Sequence, residues 1–339
     1  MEKYMSLKHQ TDINGYLFYA YPYTIVNTYP EFKQYLFDNY IQSFGYVDDS
    51  GALTFDYEDG ISYNHLYYHS GPLEFHCIPY NIGIQMDIVH FLKQELNQNN
   101  YIIIFLDEYY LKGRSSYKKT HFVHEIMITG YRNNVFTYYA FNENFKLSFA
   151  ECTQNHLAKA YKQGKKVVLR KAINWISQKS IMSINVKPSI RDYEYSKVTL
   201  ARKLSAYYIG VFQKEYEAFI MDSSRCFIGV HNTQAIISCM TNDESRPIIT
   251  YPAVHSWYES KRNLLTKMRV VLSDIAALND LFSRYETDIV KKADIIRMNF
   301  LKQRRNGKIN ADNTLTLLNE LYSREKDIIG QILESINES

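Results

Sequence analysis

Cysteine is scarce in this chain: Cys77, Cys152, Cys226 and Cys239 stand far apart in 339 residues, with no CxxC spacing and no histidine cluster beside them. That spacing points to neither a disulfide framework nor a zinc site, so each is expected to be a small buried hydrophobe. Long apolar runs are also missing. Nothing approaches the roughly 18 to 20 residues needed to span a bilayer. The opening MEKYMSLKHQTD lacks the basic-then-apolar plan of a signal peptide, so the expectation is a cytosolic chain with no membrane partner. Excess charge of either sign is absent too. The net charge is +3, which compels no nucleic-acid partner, and Lys165-Lys166, Lys291-Lys292 and Arg304-Arg305 read as solvated faces.

Tyrosine is what the chain has in abundance, 31 residues against 7 prolines. Most of these are read as composition bias. Tyr109, Tyr110 and Tyr117 differ because they flank the loop that leads to His124, where an aromatic wall could hold an apolar group of a substrate.

The length allows one large or two ordinary domains. Residues 1 to 180 mix helical and strand periods, whereas from about Asn185 the period is helical. Long amphipathic patterns run over Lys197 to Met221, His255 to Tyr285 and Asn313 to Ile336. The expected architecture is α+β, a mixed domain over 1–180 followed by a mainly helical part over 181–339. Within the first part, Pro22 and Pro30 are placed at helix starts and Asn39 to Phe44 as a strand. A helix begins after Asn81 or Gly83. Ser148 to Glu151 reads as a capping box opening a helix through Lys162, with a short strand at Lys165 to Leu169.

The most informative stretch is 117–145. His124 to Thr129 is apolar apart from Glu125, Gly130 closes it, and Arg132, Asn133 and Asn134 lead into the β-branched and aromatic run Val135 to Phe141. This is a hairpin signature. A three-residue loop pairs Tyr131 with Val135 and sets His124 opposite Asn142, whereas a two-residue loop sets it opposite Glu143. A histidine with a polar residue opposite is the base-and-orienter half of a nucleophile triad, although a strand histidine is more commonly a satisfied side chain. His121 is read as facing away from His124, which makes the pair a poor metal site. His255, Glu259 and Lys261 are given no catalytic role.

The segment Tyr101 to Asn142, with YIIIFLDEYYL, a Tyr- and Lys-rich loop, HFVHEIMITGY and a strand ending YYAFN, resembles the N-terminal domain of the butirosin-pathway acyltransferase family. Asp107, Tyr109, Tyr110, His124, Gly130, Tyr131 and Asn142 carry the likeness. The resemblance implies a papain-like (cysteine-protease-like) fold and acyl transfer from carrier-protein thioesters in peptide-type or aminoglycoside antibiotic biosynthesis. It implies a carrier protein and a small amine or acyl substrate as partners, with no cofactor or metal. The family carries a cysteine near the N-terminus, and this chain has none before Cys77. Cys77 is therefore the candidate nucleophile, although Pro79 separates it from the following helix and its dipole.

Two functions follow as expectations. One is acyl transfer or amide-bond formation with Cys77 as nucleophile, His124 as base and Asn142 as orienter. The alternative is a non-catalytic relative that binds a carrier-linked substrate.

Overall fold

The run YIIIFLD becomes a fully buried strand, because every side chain from Tyr101 to Asp107 finds cover on one face of a sheet or the other. The structure, a computed structural model, describes residues 2–10, 12–48, 50–63, 71–80, 87–187, 197–212, 226–241, 248–306 and 311–338. In chain order the described strands are β1 (Glu2–Tyr4), β2 (Ser43–Val47), β3 (Ala52–Tyr57), β4 (Leu73–Ile78), β5 (Tyr101–Asp107), β6 (Val123–Arg132), β7 (Val135–Phe141), β8 (Leu147–Thr153), β9 (Ile181–Val186), β10 (Phe227–Ile228) and β11 (Ile248–Ile249). The described α-helices are α1 (Leu17–Thr28), α2 (Lys33–Asp38), α3 (Ile88–Asn97), α4 (Gln154–Arg170), α5 (Asn174–Gln178), α6 (Lys197–Ile209), α7 (Asn232–Thr241), α8 (Tyr251–Val271), α9 (Asn279–Tyr285), α10 (Lys291–Asn306) and α11 (Ala311–Asn337). The chain is thus α+β, with an antiparallel sheet and a helical C-terminal part. Among the described residues no helix is long and apolar enough to cross a membrane.

Contacts divide the chain into two compact units, and the division differs from a split at residue 180. One unit comprises Met1–His9, Thr24–Tyr29 and Ser70–Ile190; the other comprises Gln10–Tyr23, Pro30–His69 and Arg191–Ser339. Residues 10–23 and 30–69 group with the C-terminal helices because β2 and β3 pair with the short strands β10 and β11. Those pairings join Gly45 to Phe227 and Ala52 to Ile248, separations that a local period cannot register.

The first unit is a sheet in the order β4-β9-β5-β6-β7-β8, with β1 beside β6 and every pairing antiparallel. The hairpin expected over 117–145 is present as β6 and β7. Its loop is Asn133 and Asn134, with Arg132 opposite Val135, not the three residues first favoured. A bulge between Ile128 and Gly130 then restores the other register, so that Met127 faces Tyr139.

Several local readings are corrected. Ser148 to Glu151 does not cap a helix: it lies in β8, paired along β7, and Thr153 caps α4 by accepting the His156 N–H at 3.3 Å. Lys165 to Leu169 is not a strand but the last turns of α4. The buried series Leu157, Ala160, Tyr161, Gly164 and Val168 continues the helical face through it and overrides the local β preference. The strand expected at Asn39 to Phe44 starts only at Ser43, because Tyr40 adopts φ +59. Pro22 lies inside α1, while Pro30 opens a single 3-10 turn. Asn81 and Gly83 lie outside the described residues; α3 starts at Ile88 under an Asp87 cap.

In the second unit the helices close on a core that includes Trp257, Leu264, Met268, Ile296, Leu321 and Ile328. Its expected long patterns shorten where the backbone turns. α6 stops at Gly210, φ +80, and the pattern over His255 to Tyr285 is split between α8 and α9. The rest of the first pattern, from residue 213 to Met221, lies outside the described residues.

Two lysines on α8 show what burial demands. Lys261 is satisfied, 2.8 Å from Glu325 and 2.7 Å from the Tyr207 hydroxyl. Lys267 is only 2% exposed, and its Nζ has no hydrogen-bond partner among the described residues. Burial pulls the Lys267 pKa down to about 7; Asp59 opposes the shift and Lys203, itself paired with Asp59, adds to it. A lysine whose folded pKa lies below its unfolded value of about 10.4 makes the fold more stable as pH rises from about 7 to 10. Lys267→Met is therefore expected to stabilise the chain at neutral pH by on the order of 1–3 kcal/mol and to flatten that rise. Denaturant melts between pH 7 and 10 check both effects.

Candidate functional site

β5 ends on Asp107, Glu108 opens the 3-10 turn that follows, and both are buried. A buried carboxylate must find donors or neutralise. Consecutive side chains diverge, so the two recruit different partners from the loop that returns to β6.

Asp107 is fully buried. Its Oδ1 accepts the Tyr109 N–H at 3.2 Å, and its Oδ2 lies 2.6 Å from Nδ1 of His121. The His121 side chain is 52% exposed. Its ring stacks on Tyr109 at 4.5 Å and 25°, and Tyr110 stands edge-on to Tyr109 at 5.0 Å. An ionised carboxylate only accepts, so the hydrogen of this contact sits on Nδ1, and in the neutral form of the ring Nε2 is then the acceptor.

Glu108 turns to Arg114 and His124. Arg114 donates through Nε at 3.0 Å and through Nη2 to the same oxygen, Oε1, and Nδ1 of His124 lies 3.3 Å from that oxygen. Nε2 of His124 is 3.5 Å from Glu125 Oε2. Burial by itself would lower the His124 pKa, but the carboxylates of Glu125 and Glu108 outweigh it and hold the pKa above its ordinary value, with Arg114 opposing. Burial would raise Glu108; the His124 hydrogen bond and the Arg114 charge overcome it and lower its pKa. The two carboxylates thus favour the charged form of His124, whose Nδ1 also lies 3.4 Å from Arg114 Nη2. The cluster also shapes the loop: the Glu108 N–H bonds the Phe122 carbonyl, and the Lys118 N–H bonds the Tyr109 carbonyl.

The other expected site residues lie elsewhere. Asn142 does not orient His124. Its Oδ1 accepts the N–H groups of Asn144 and Lys146 at 2.9 and 3.1 Å, and its Nδ2 donates to Ser148, so it builds the turn between β7 and β8. The described β6–β7 pairing ends at Met127 and Tyr139, before it would reach His124 and Asn142. Glu143, the other candidate, is exposed, and its N–H bonds the Gly113 carbonyl.

Cys77 is remote from His124. On β4 it faces Met182, which faces Ile103, which faces Met127. Cross-strand partners share a face, and His124 is three residues from Met127, so Cys77 and His124 point to opposite faces of the sheet. Three strand spacings, roughly 14 Å, also separate the two rows. Burial raises the Cys77 pKa, with Lys179 opposing, and burial, with Glu151 adding, pushes Cys152 up to about 12. Neither environment favours a thiolate.

Tyr109 and Tyr110 do flank a histidine, but it is His121; Tyr117 carries Lys118 over its ring at 5.4 Å. His255 and Glu259 meet at 3.1 Å, and Glu259 also accepts the N–H groups of Asn14 and Gly15 at 2.7 Å each, a structural clamp. Lys261 belongs to the separate Glu325 network. No group of three or more metal-ligating side chains gathers among the described residues. The signal that could have led to His121 was the Asp107-Glu108 pair closing an otherwise apolar strand, with Arg114, His121 and His124 ahead of it as candidate counter-groups. Neither a family model nor a curated protein matches this chain.

Two outcomes follow from the Glu108 cluster. The stability due to raised His124 is fully present below about pH 6.5 and is lost as pH climbs through its folded value, whereas that due to lowered Glu108 disappears as pH falls below about 4.3. The difference in Tm between the wild type and His124→Gln is therefore expected to be largest between about pH 4.3 and 6.5 and to shrink as pH rises above that window. Arg114→Met, which leaves Glu108 short of its main donor, is expected to cost about 3–5 kcal/mol in denaturant melts.

Proposed function

We propose that the chain is an acyl-transfer catalyst that works by proton transfer at His121, without an acyl-enzyme on cysteine. The observation that carries this reading is the 2.6 Å contact between fully buried Asp107 and half-exposed His121. It fixes one ring nitrogen and leaves the other free, the arrangement a general base requires.

The acceptor, an amine or water, attacks the carbonyl carbon of a thioester while Nε2 of His121 takes its proton. The new C–N or C–O bond forms, the C–S bond breaks, and the imidazolium returns the proton to the departing sulfur. Tyr109 and Tyr110 supply an apolar wall for the acyl or amine portion. The thioester and the carrier protein that would present it come from the resemblance of Tyr101 to Asn142 to the butirosin-pathway acyltransferases. A papain-like arrangement of the first unit is part of the same proposal. An antiparallel sheet with a histidine-bearing hairpin supports it. No cofactor or metal is invoked.

A second reading is a non-catalytic relative that binds a carrier-linked substrate. The separation of Cys77 from His124 favours it, because the family's covalent route has no thiol at hand.

Turnover of an acyl N-acetylcysteamine thioester with a primary amine distinguishes these readings. His121→Ala is expected to lose about a hundredfold or more in kcat, with Asp107→Asn also impaired and Cys77→Ala unchanged. Loss of turnover in Cys77→Ala, together with an acyl adduct on the wild type by mass spectrometry, overturns the mechanism. A wild type that binds the thioester without turning it over selects the binding relative.

A further inference from the structure

From Gln154 to Lys171 the chain carries Lys159, Lys162, Lys165, Lys166, Arg170 and Lys171 and no acidic residue, more positive charge than the +3 of the whole chain. On α4 Leu157, Ala160, Tyr161, Gly164 and Val168 face inward, and Lys159, Lys162, Lys166 and Arg170 are all exposed. Their spacing of three or four places them in one outward row, roughly 16 Å long at 1.5 Å per residue. Like charges at i and i+4 weaken a helix, and none of the ion pairs described in this unit involves these four.

The row begins beside Tyr110, a ring neighbour of the Asp107–His121 dyad. Lys159 Nζ lies 4.9 Å over the ring of Tyr110, which is 6.1 Å from that of His121. Further along, Gly164 lets the helix pass against the end of β5, where a Cβ would come within 3.1 Å of the Asp107 nitrogen. Lys112, Lys118 and Lys119 are exposed on the loop across the dyad. Exposed Glu143 lies near that loop through Gly113, so it is the α4 row that carries the argument.

We propose that the outer face of α4 is the docking surface for an acidic protein that delivers the acyl thioester to His121; this rests on the proposed acyl-transfer function. Charge complementarity names the partner's sign, and the row's start beside Tyr110 names its purpose. An acidic helix or strand laid along α4 would place a tethered group beside Tyr110. Exposed Leu169, next to Lys166 and Arg170 on the same helix, suits a protein surface. No aromatic side chain on the row offers a stacking platform for RNA bases. A membrane is disfavoured because the apolar face of α4 is spent on the sheet.

The test is the variant K162E/K166E/R170E, with K162Q/K166Q/R170Q as a milder control and circular dichroism to verify folding. With an N-acetylcysteamine thioester its turnover is expected to match the wild type. With the same acyl group on an acidic acyl carrier protein, KM is expected to rise about tenfold or more, with the glutamine variant intermediate, and the wild type's salt dependence is expected to flatten. An unchanged KM for the carrier-bound substrate overturns the proposal. Should the wild type turn over neither thioester, the acyl-transfer reading falls by itself. Titration of fluorescent loaded carrier protein then decides docking: binding weakened by the variant supports it, and no wild-type binding overturns it. Tight binding of labelled single-stranded RNA that excludes the carrier protein and disappears in the variant also overturns it.

Discussion

Two adjacent carboxylates buried at the end of the central strand govern the loop that carries His121 and His124. β5 has no polar side chain before Asp107 except the Tyr101 hydroxyl, so Asp107 and Glu108 enter the fold with no partner on their own strand. The returning loop must supply donors to both. It does so twice, through His121 and the Tyr109 N–H for Asp107, and through Arg114 and His124 for Glu108. Two neighbouring histidines acquire opposite characters as a result. His124 is locked in an ion-paired cluster, while His121 is held at one nitrogen and open at the other.

The same alternation that separates the carboxylates separates Cys77 from His124. A sheet transmits position by rows: side chains in one cross-strand row share a face, and an odd number of residues along a strand reverses it. Cys77 is tied by three successive pairings to the row of Met127, and no rotamer brings its sulfur to His124. The first unit thus presents an imidazole held at one nitrogen by Asp107, with a cationic face on α4, the helix that follows β8.

How much of this was legible in the sequence depended on the range of the interaction. The hairpin, the α+β class and the helical character of the second half were readable because alternation and the 3.6 period are local. The register near the turn was not, since a bulge at Thr129 leaves no mark in the hydrophobic pattern. α4 was cut short because Lys165 to Leu169, read alone, resembles a strand; only the face begun at Leu157 shows that the helix continues. His124 stood out in the hairpin pattern and again in the family likeness. The Asp107–His121 contact was not legible, because it depends on the full burial of Asp107 and on a loop that brings residue 121 back to it. The discontinuous second unit was out of reach for the same reason, since β2 and β3 meet partners almost two hundred residues away.

The tautomer of His121 tests the account most directly. In long-range proton–nitrogen correlation spectra of the wild type at about pH 8, assigned by comparison with His121→Ala, the account predicts a protonated Nδ1 and an unprotonated Nε2 for this ring, and predicts that Asp107→Asn erases the preference. A ring that carries its hydrogen on Nε2, or that averages the two forms in the wild type as a free side chain does, would contradict it.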